Sequence, residues 1–171
     1  MTVIAWDGKT LAADRQGTNC GGKFAATKLF RLDDGTLLAG TGTLAAVLVM
    51  RDWYIAGADT SQYPECQKSS DDWARLVVVK PGGVVFYYEG LPVAIPSESV
   101  PAAWGSGRDF ALGAMLAGAD ARRAVEITNM VSIDCGLGVD SAEPIAPGST
   151  IGADHAQPYL NGSSIDMSAS T

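Results

Sequence analysis

The sequence predicts an α+β fold, with two antiparallel sheets covered on their outer faces by helices, a four-layer α-β-β-α sandwich, as one economical arrangement. Three turn-forming stretches, Asp7-Gly8, Asp33-Asp34-Gly35 and Pro81-Gly82-Gly83, each separate two short runs of strand formers, so hairpins recur along the chain. Helical segments are grouped, with one long apolar run after the second hairpin and two helices in succession late in the chain. Hairpins with segregated helices favour layered α+β over alternating parallel α/β.

In order, Thr2 to Trp6 and Lys9 to Ala13 form the first hairpin, and apolar groups on both faces (Val3 and Ala5, Ile4 and Trp6) make its first strand interior. Gly17 to Gly22 reads as a Gly-rich connection. Lys28 to Leu32 and Thr36 to Ala39 form the second hairpin. Leu44 to Ile55 is too long for one strand and stops at Gly57, so it reads as a buried helix with Thr43 near its N-cap. Its apolar residues go nearly all round, which implies burial on more than one side. Residues 58 to 72 are polar and contain Pro64, giving a loop or a short helix. Arg75 to Lys80 and Val84 to Tyr88 form the third hairpin, and Leu91 to Ile95 with Val100 to Trp104 extend it into the second sheet.

Gly105-Ser106-Gly107 breaks the strand pattern and opens a helix from Arg108 to Ala117. A second helix starts at Asp120, a good N-cap, with Ala124, Ile127 and Val131 on one face; Ile133 to Gly136 then returns to extended chain. From Ser141 on, prolines and small polar residues show no periodicity. The expected organisation is one domain over residues 1–140 and an extended or mobile tail over 141–171.

Composition excludes several classes of function. A net charge of −7, spread along the chain, lacks the positive face that nucleic acid requires. The N-terminus has no basic segment, and no apolar run approaches membrane-spanning length, so a cytoplasmic protein away from membranes is expected. Three cysteines, Cys20, Cys66 and Cys135, show no paired spacing for disulfides or zinc, and the single histidine, His155, stands in the polar tail. No metal and no cofactor are expected. Gly40-x-Gly42 and Gly136-x-Gly138 fall short of a nucleotide-binding glycine pattern.

Thr2 is the candidate for chemistry. An initiator Met before a small residue is commonly removed, which would leave a threonine with a hydroxyl and a free α-amine. That amine titrates at about 7.7–8.0 in unstructured peptides and can serve as the hydroxyl's own base. A Thr at this position is more often simply the start of a strand. Its company here is Asp14 at a strand end, Lys28 at a strand start, and Gly40-Thr41-Gly42 before the helix; Asp14 and Lys28 alone would fit a surface ion pair as well.

Taken in order, Thr2-Val3-Ile4-Ala5-Trp6, Leu11-Ala12-Ala13-Asp14-Arg15-Gln16, Thr27-Lys28-Leu29-Phe30-Arg31-Leu32, Leu38-Ala39-Gly40-Thr41-Gly42 and Trp104-Gly105-Ser106-Gly107 resemble the proteasome β subunits and the bacterial proteasome-like peptidase HslV, which are N-terminal nucleophile (Ntn) hydrolases. The resemblance spans roughly residues 2 to 140. It implies the sandwich fold with Thr2 at its mouth, Thr2 as nucleophile, Lys28 as a buried cation, Asp14 as its carboxylate partner and a backbone N–H of Gly42 or Thr43 as oxyanion donor. Ser106 and Asp134 match the supporting shell, although by themselves they read as a turn serine and a strand-end aspartate.

The same resemblance implies a threonine-type peptidase or amidohydrolase acting on peptides or unfolded proteins, assembled as a homo-oligomeric ring, with an ATP-dependent unfoldase as a further partner. The alternative is a catalytically silent, ring-forming subunit of the same fold. The chain departs from the pattern at Val3, at Gly42-Thr43, where the register from Lys28 slips by one, at Leu137, where a serine is expected, and in a shorter, more polar Asp59 to Asp72 segment.

Overall fold

The computed structural model describes residues 2–65 and 73–145. Its strands are β1 (Val3–Trp6), β2 (Leu11–Asp14), β3 (Gln16–Asn19), β4 (Gly22–Ala25), β5 (Leu29–Arg31), β6 (Leu37–Gly42), β7 (Ala74–Val79), β8 (Val85–Glu89), β9 (Leu91–Pro96), β10 (Ala102–Gly105) and β11 (Val139–Ala142). The helices are α1 (Leu44–Ile55), α2 (Arg108–Leu116) and α3 (Ala121–Val131). A four-stranded sheet in the order β10-β1-β2-β11 faces a five-stranded sheet in the order β5-β6-β7-β8-β9, and β3 and β4 form a separate ribbon.

Side-chain alternation produces the layers. From β1 and β2, Ile4, Trp6, Leu11 and Ala13 point inward and meet Leu37, Ala39, Val77 and Val79 of the opposite sheet. The alternate residues Val3, Ala5 and Ala12 pack outward on Ala111, Met115, Ala121, Ala124 and Val125 of α2 and α3. On the far side, Leu38, Leu76 and Val78 pack on Ala46, Val47, Met50 and Trp53 of α1. The order across the molecule is α2 and α3, first sheet, second sheet, α1, which is the expected α-β-β-α sandwich, and β1 is buried on both faces.

Several elements differ from the sequence expectation. Asp7-Gly8 lies in a longer turn: Trp6 pairs with Leu11, and Asp7 Oδ1 accepts from the backbone N–H groups of Lys9 and Thr10 at 2.8 and 2.7 Å. Its Oδ2 accepts from Ala121 N–H at 2.8 Å and so ties the turn to the start of α3. The supposed connection Gly17 to Gly22 is the β3–β4 hairpin, paired from Gln16↔Ala25 to Asn19↔Gly22. It is exposed save for buried Gln16 and half-buried Gly17 and therefore lacks the apolar alternation that marks a strand.

β10 does not extend the second sheet. It pairs with β1, from Val3↔Gly105 to Trp6↔Ala102, because Ala102 and Trp104 are needed to fill the inter-sheet core. Residues 133–135 form a turn rather than extended chain, and strand structure resumes at Val139. The tail boundary expected at residue 140 falls inside β11, whose Ser141 and Ala142 pair with Ala12 and Leu11. Only residues 143–145 of the remaining tail are described. In the 58–65 stretch a 3₁₀ turn, Thr60–Gln62, is capped by Asp59, which accepts from Ser61 N–H at 2.8 Å.

The helices also show where patterning was ambiguous. α3 begins at the expected cap, Asp120, which accepts from Arg123 N–H at 2.7 Å. Its buried face, however, is Ala121, Ala124, Val125 and Thr128, with Ile127 half-buried and Val131 exposed. Thr128 can be buried because its hydroxyl donates to the Ala124 carbonyl at 2.9 Å. α1 buries one face on β6 and β7 and leaves Val49 and Ile55 exposed, so among the described residues burial on more than one side is not reached.

Candidate active site

The site lies where β1 begins, between the ends of the two sheets. Thr2 directly precedes β1 and is 3% exposed. Its backbone nitrogen donates to Ser106 Oγ at 3.1 Å, and the Ser106 hydroxyl donates to the Thr2 carbonyl at 3.3 Å. Gly107 N–H donates to the same carbonyl at 3.2 Å. Ser106 thus grips the residue through its main chain from the β10–α2 turn. The turn can come this close because Gly105 has φ +93° and no side chain: a Cβ there would stand 2.2 Å from the Thr2 carbonyl oxygen.

Asp14, at the end of β2, is fully buried and collects four donors. Oδ1 accepts from Val3 N–H and from Lys28 Nζ, both at 2.9 Å. Oδ2 accepts from Gln16 N–H at 3.0 Å and Gly136 N–H at 3.3 Å. One carboxylate therefore binds together the start of β1, the β2–β3 junction, the turn before β11 and the Lys28 ammonium. A charge this deep requires such partners.

Lys28, just ahead of β5, is 4% exposed. Burial pushes its pKa below the ordinary lysine value, while the charge of Asp14 and the hydrogen bond to it oppose that shift. Cys135 is buried nearby, and its thiol is pushed up to about 11, chiefly by burial and next by the negative charge of Asp14. It is a neutral neighbour of the ion pair at neutral pH.

Gly42 and Thr43 close the end of β6 and differ in what their N–H groups do. Thr43 N–H donates to the Trp73 carbonyl at 3.0 Å, continuing the β6–β7 ladder. Ladder alternation turns the Gly42 N–H to the other side, the side on which Gly40 N–H meets the Lys28 carbonyl at 3.1 Å. Gly42 has φ +118°, and a Cβ on it would lie 2.2 Å from the Trp73 carbonyl oxygen, so only glycine fits.

These residues line one cavity of about 690 Å³, with Thr2, Lys28, Gly42, Thr43 and Ser106 on its wall. Asp134 is not among the cavity-lining residues. It is half-buried in the turn after α3, where its N–H donates to Ser132 Oγ at 3.2 Å. Sequence reasoning did not single out Gln16, Phe24, Trp73, Arg75 and Arg108, which also line the cavity. Gln16 is buried, and its Nε2 donates to the Ile133 carbonyl at 3.0 Å. A glutamine two residues past the buried aspartate was the one visible signal. Among the described residues no group of three or more His, Cys, Asp or Glu side chains is placed to hold a metal ion.

The fold is a sandwich of two sheets between helical layers, with a threonine at the head of an interior strand and a buried Asp–Lys pair behind it. Comparison with solved structures narrows the fold to the HslV and proteasome-like type. Eukaryotic HslV from Trypanosoma brucei superposes with a TM-score of 0.60 at 22% identity, covering 82% of this chain and 97% of that one. Thiobacillus denitrificans BPH gives a TM-score of 0.61 at 22% identity over 84% of this chain and 98% of its own, and its complex with epoxomicin gives 0.60 over the same shares. No protein-family model and no curated protein sequence matches.

Proposed function

We propose that the chain is an N-terminal threonine peptidase or amidohydrolase in which loss of Met1 frees the Thr2 amine. The observation that carries this reading is the buried Lys28–Asp14 pair at 2.9 Å, with Lys28 and Thr2 facing the same cavity. A buried ammonium is costly, and here it stands where it would favour a neutral amine and an ionising hydroxyl.

In the proposed reaction the Thr2 hydroxyl attacks the substrate carbonyl while the Thr2 α-amine takes its proton. The Gly42 N–H receives the oxyanion; Thr43 N–H is engaged with Trp73, so of the two candidates Gly42 serves. Collapse breaks the C–N bond, the amine returns the proton to the departing amino group, and an ester remains on Thr2. Water, deprotonated by the same amine, then attacks the ester carbonyl; the bond to Thr2 Oγ breaks, the acid product leaves and the ammonium returns the proton to Oγ. Ser106 orients Thr2 throughout; Asp134 is assigned to the supporting shell by the family resemblance alone.

The proposed substrates are peptides or unfolded proteins, and the proposed assembly is a homo-oligomeric ring in the cytoplasm, for which the exposed Val49 and Ile55 of α1 would supply contact surface. Among the described residues no helix is long and apolar enough to cross a membrane. An unfoldase partner is proposed only by the resemblance.

The test combines intact mass with peptide hydrolysis for the native protein and the Thr2→Ala variant. Cleavage by protein beginning at Thr2, abolished in Thr2→Ala, supports the reading. Epoxomicin, which the BPH structure contains, is a second probe: a one-to-one adduct absent from Thr2→Ala is expected. A folded native protein that begins at Thr2 and neither cleaves nor reacts would be the silent subunit instead.

A further inference from the structure

The side chains around the cavity carry a charge opposite to that of the chain as a whole. The protein has a net charge of −7, yet among the described residues the cavity wall holds Arg75, Arg108 and Lys28 and no Asp or Glu. Lys28 is engaged with Asp14 deep in the site, which leaves the two arginines as the cations nearest an incoming chain.

Arg75 stands on β7 at Thr41, its partner in the ladder, and is held from behind. Its Nε and Nη2 both go to Glu89, and the guanidinium lies over the Tyr87 ring at 5.1 Å. Glu89 uses one edge of the planar fork, so the Nη1 edge remains for a second acceptor, and the fixed geometry reduces the entropy lost on binding it. Arg108 opens α2, two residues past the serine that holds Thr2, and is exposed at the cavity's edge. Its Nε lies 3.5 Å from Asp109, a carboxylate that is largely solvated and outside the cavity wall. The start of α2 adds little to this field: its cap residue, Gly107, supplies no side-chain acceptor, but Asp109 in the first turn offsets the positive end of the helix.

We infer that Arg75 and Arg108 are specificity-determining residues that select peptide substrates with acidic side chains flanking the scissile bond. The inference rests on the peptidase reading for its reaction but not for its binding, and the experiment separates the two. Fluorescent peptides differing only in Glu, Leu or Lys at the positions flanking one bond are titrated against the Thr2→Ala protein, and the same peptides are offered to the native protein for cleavage.

The Glu peptide is expected to bind about tenfold tighter than the Lys peptide at roughly 20 mM salt, and the gap should narrow to about threefold or less near 0.5 M. Arg108→Gln, at an exposed position, should remove part of the preference, and Arg75→Gln with Arg108→Gln should remove it. A Lys peptide that binds as well as the Glu peptide, no peptide binding, or a preference unchanged in the double variant would overturn the inference. Charge-selective binding without cleavage by the native protein would sustain it while refuting the peptidase reading, whereas cleavage with no charge preference would refute the inference alone.

Discussion

Replacing Lys28 by Met keeps the length of the side chain and removes its charge, which isolates the electrostatic part of the site. Lys28 is 4% exposed and Asp14 0%, so the pair is held away from bulk solvent. Breaking a buried ion pair from one side costs about 3–5 kcal/mol. Asp14 retains three backbone donors, Val3, Gln16 and Gly136 N–H at 2.9, 3.0 and 3.3 Å, which places the loss near the lower end, about 3 kcal/mol. A domain of ordinary stability, about 5–15 kcal/mol, survives that loss. Activity should fall further, by about two orders of magnitude or more, the scale of a lost electrostatic stabiliser at the reacting oxygen. Urea denaturation and initial rates on the same preparation measure both. A folded Lys28→Met protein that hydrolyses substrate at the native rate would refute the role given to this pair.

Gly42→Ala should destabilise by about 2 kcal/mol or more and abolish turnover, since φ +118° and the contact with the Trp73 carbonyl exclude a Cβ and the displaced amide is the proposed oxyanion donor; thermal melts and rates check it. The rate should follow a bell in pH. It rises as the Thr2 amine loses its proton, below the ordinary α-amine range because the Lys28 charge favours the neutral form, and falls as Lys28 deprotonates, below the ordinary lysine value of 10.5 because burial lowers its pKa. An alkaline limb unchanged in Lys28→Met would contradict that assignment. Iodoacetamide at neutral pH should label exposed Cys20 and spare Cys135, whose thiol is buried and pushed up to about 11, until the protein is unfolded; peptide mapping reads the sites. Light scattering should show an oligomer at micromolar concentration, and a monomer would remove the proposed ring.

The layers were legible because their signals are local. β1 is apolar on both faces, α1 runs as a long apolar segment from Leu44 to Ile55, and Asp120 caps α3 as its type suggests. Asp14 and Lys28 were chosen from an ordered resemblance, and the fold brings them within 2.9 Å. What the sequence concealed depends on long-range packing. The β3–β4 ribbon is polar and Gly-rich, and the places of Gln16, bonded to Asp14 and Ile133, and of Phe24 on the cavity wall emerge only in the folded chain. β10 joins β1 across almost a hundred residues because Trp104 completes the core between the sheets, a demand no local window expresses. The proposed preference for the Gly42 amide over that of Thr43 rests on the Trp73 carbonyl, and Arg75 and Arg108 come to one cavity wall only in the folded chain.

The central claim is that the Thr2 amine and hydroxyl act together, and the most direct measurement is turnover as a function of the first residue. Intact-mass spectrometry sorts preparations that begin at Thr2 from those that retain Met1, and both are assayed with one peptide substrate. The account predicts hydrolysis only where Thr2 is first, in proportion to that fraction. Equal rates from protein that retains Met1 would contradict it, because an acylated nitrogen cannot serve as the base.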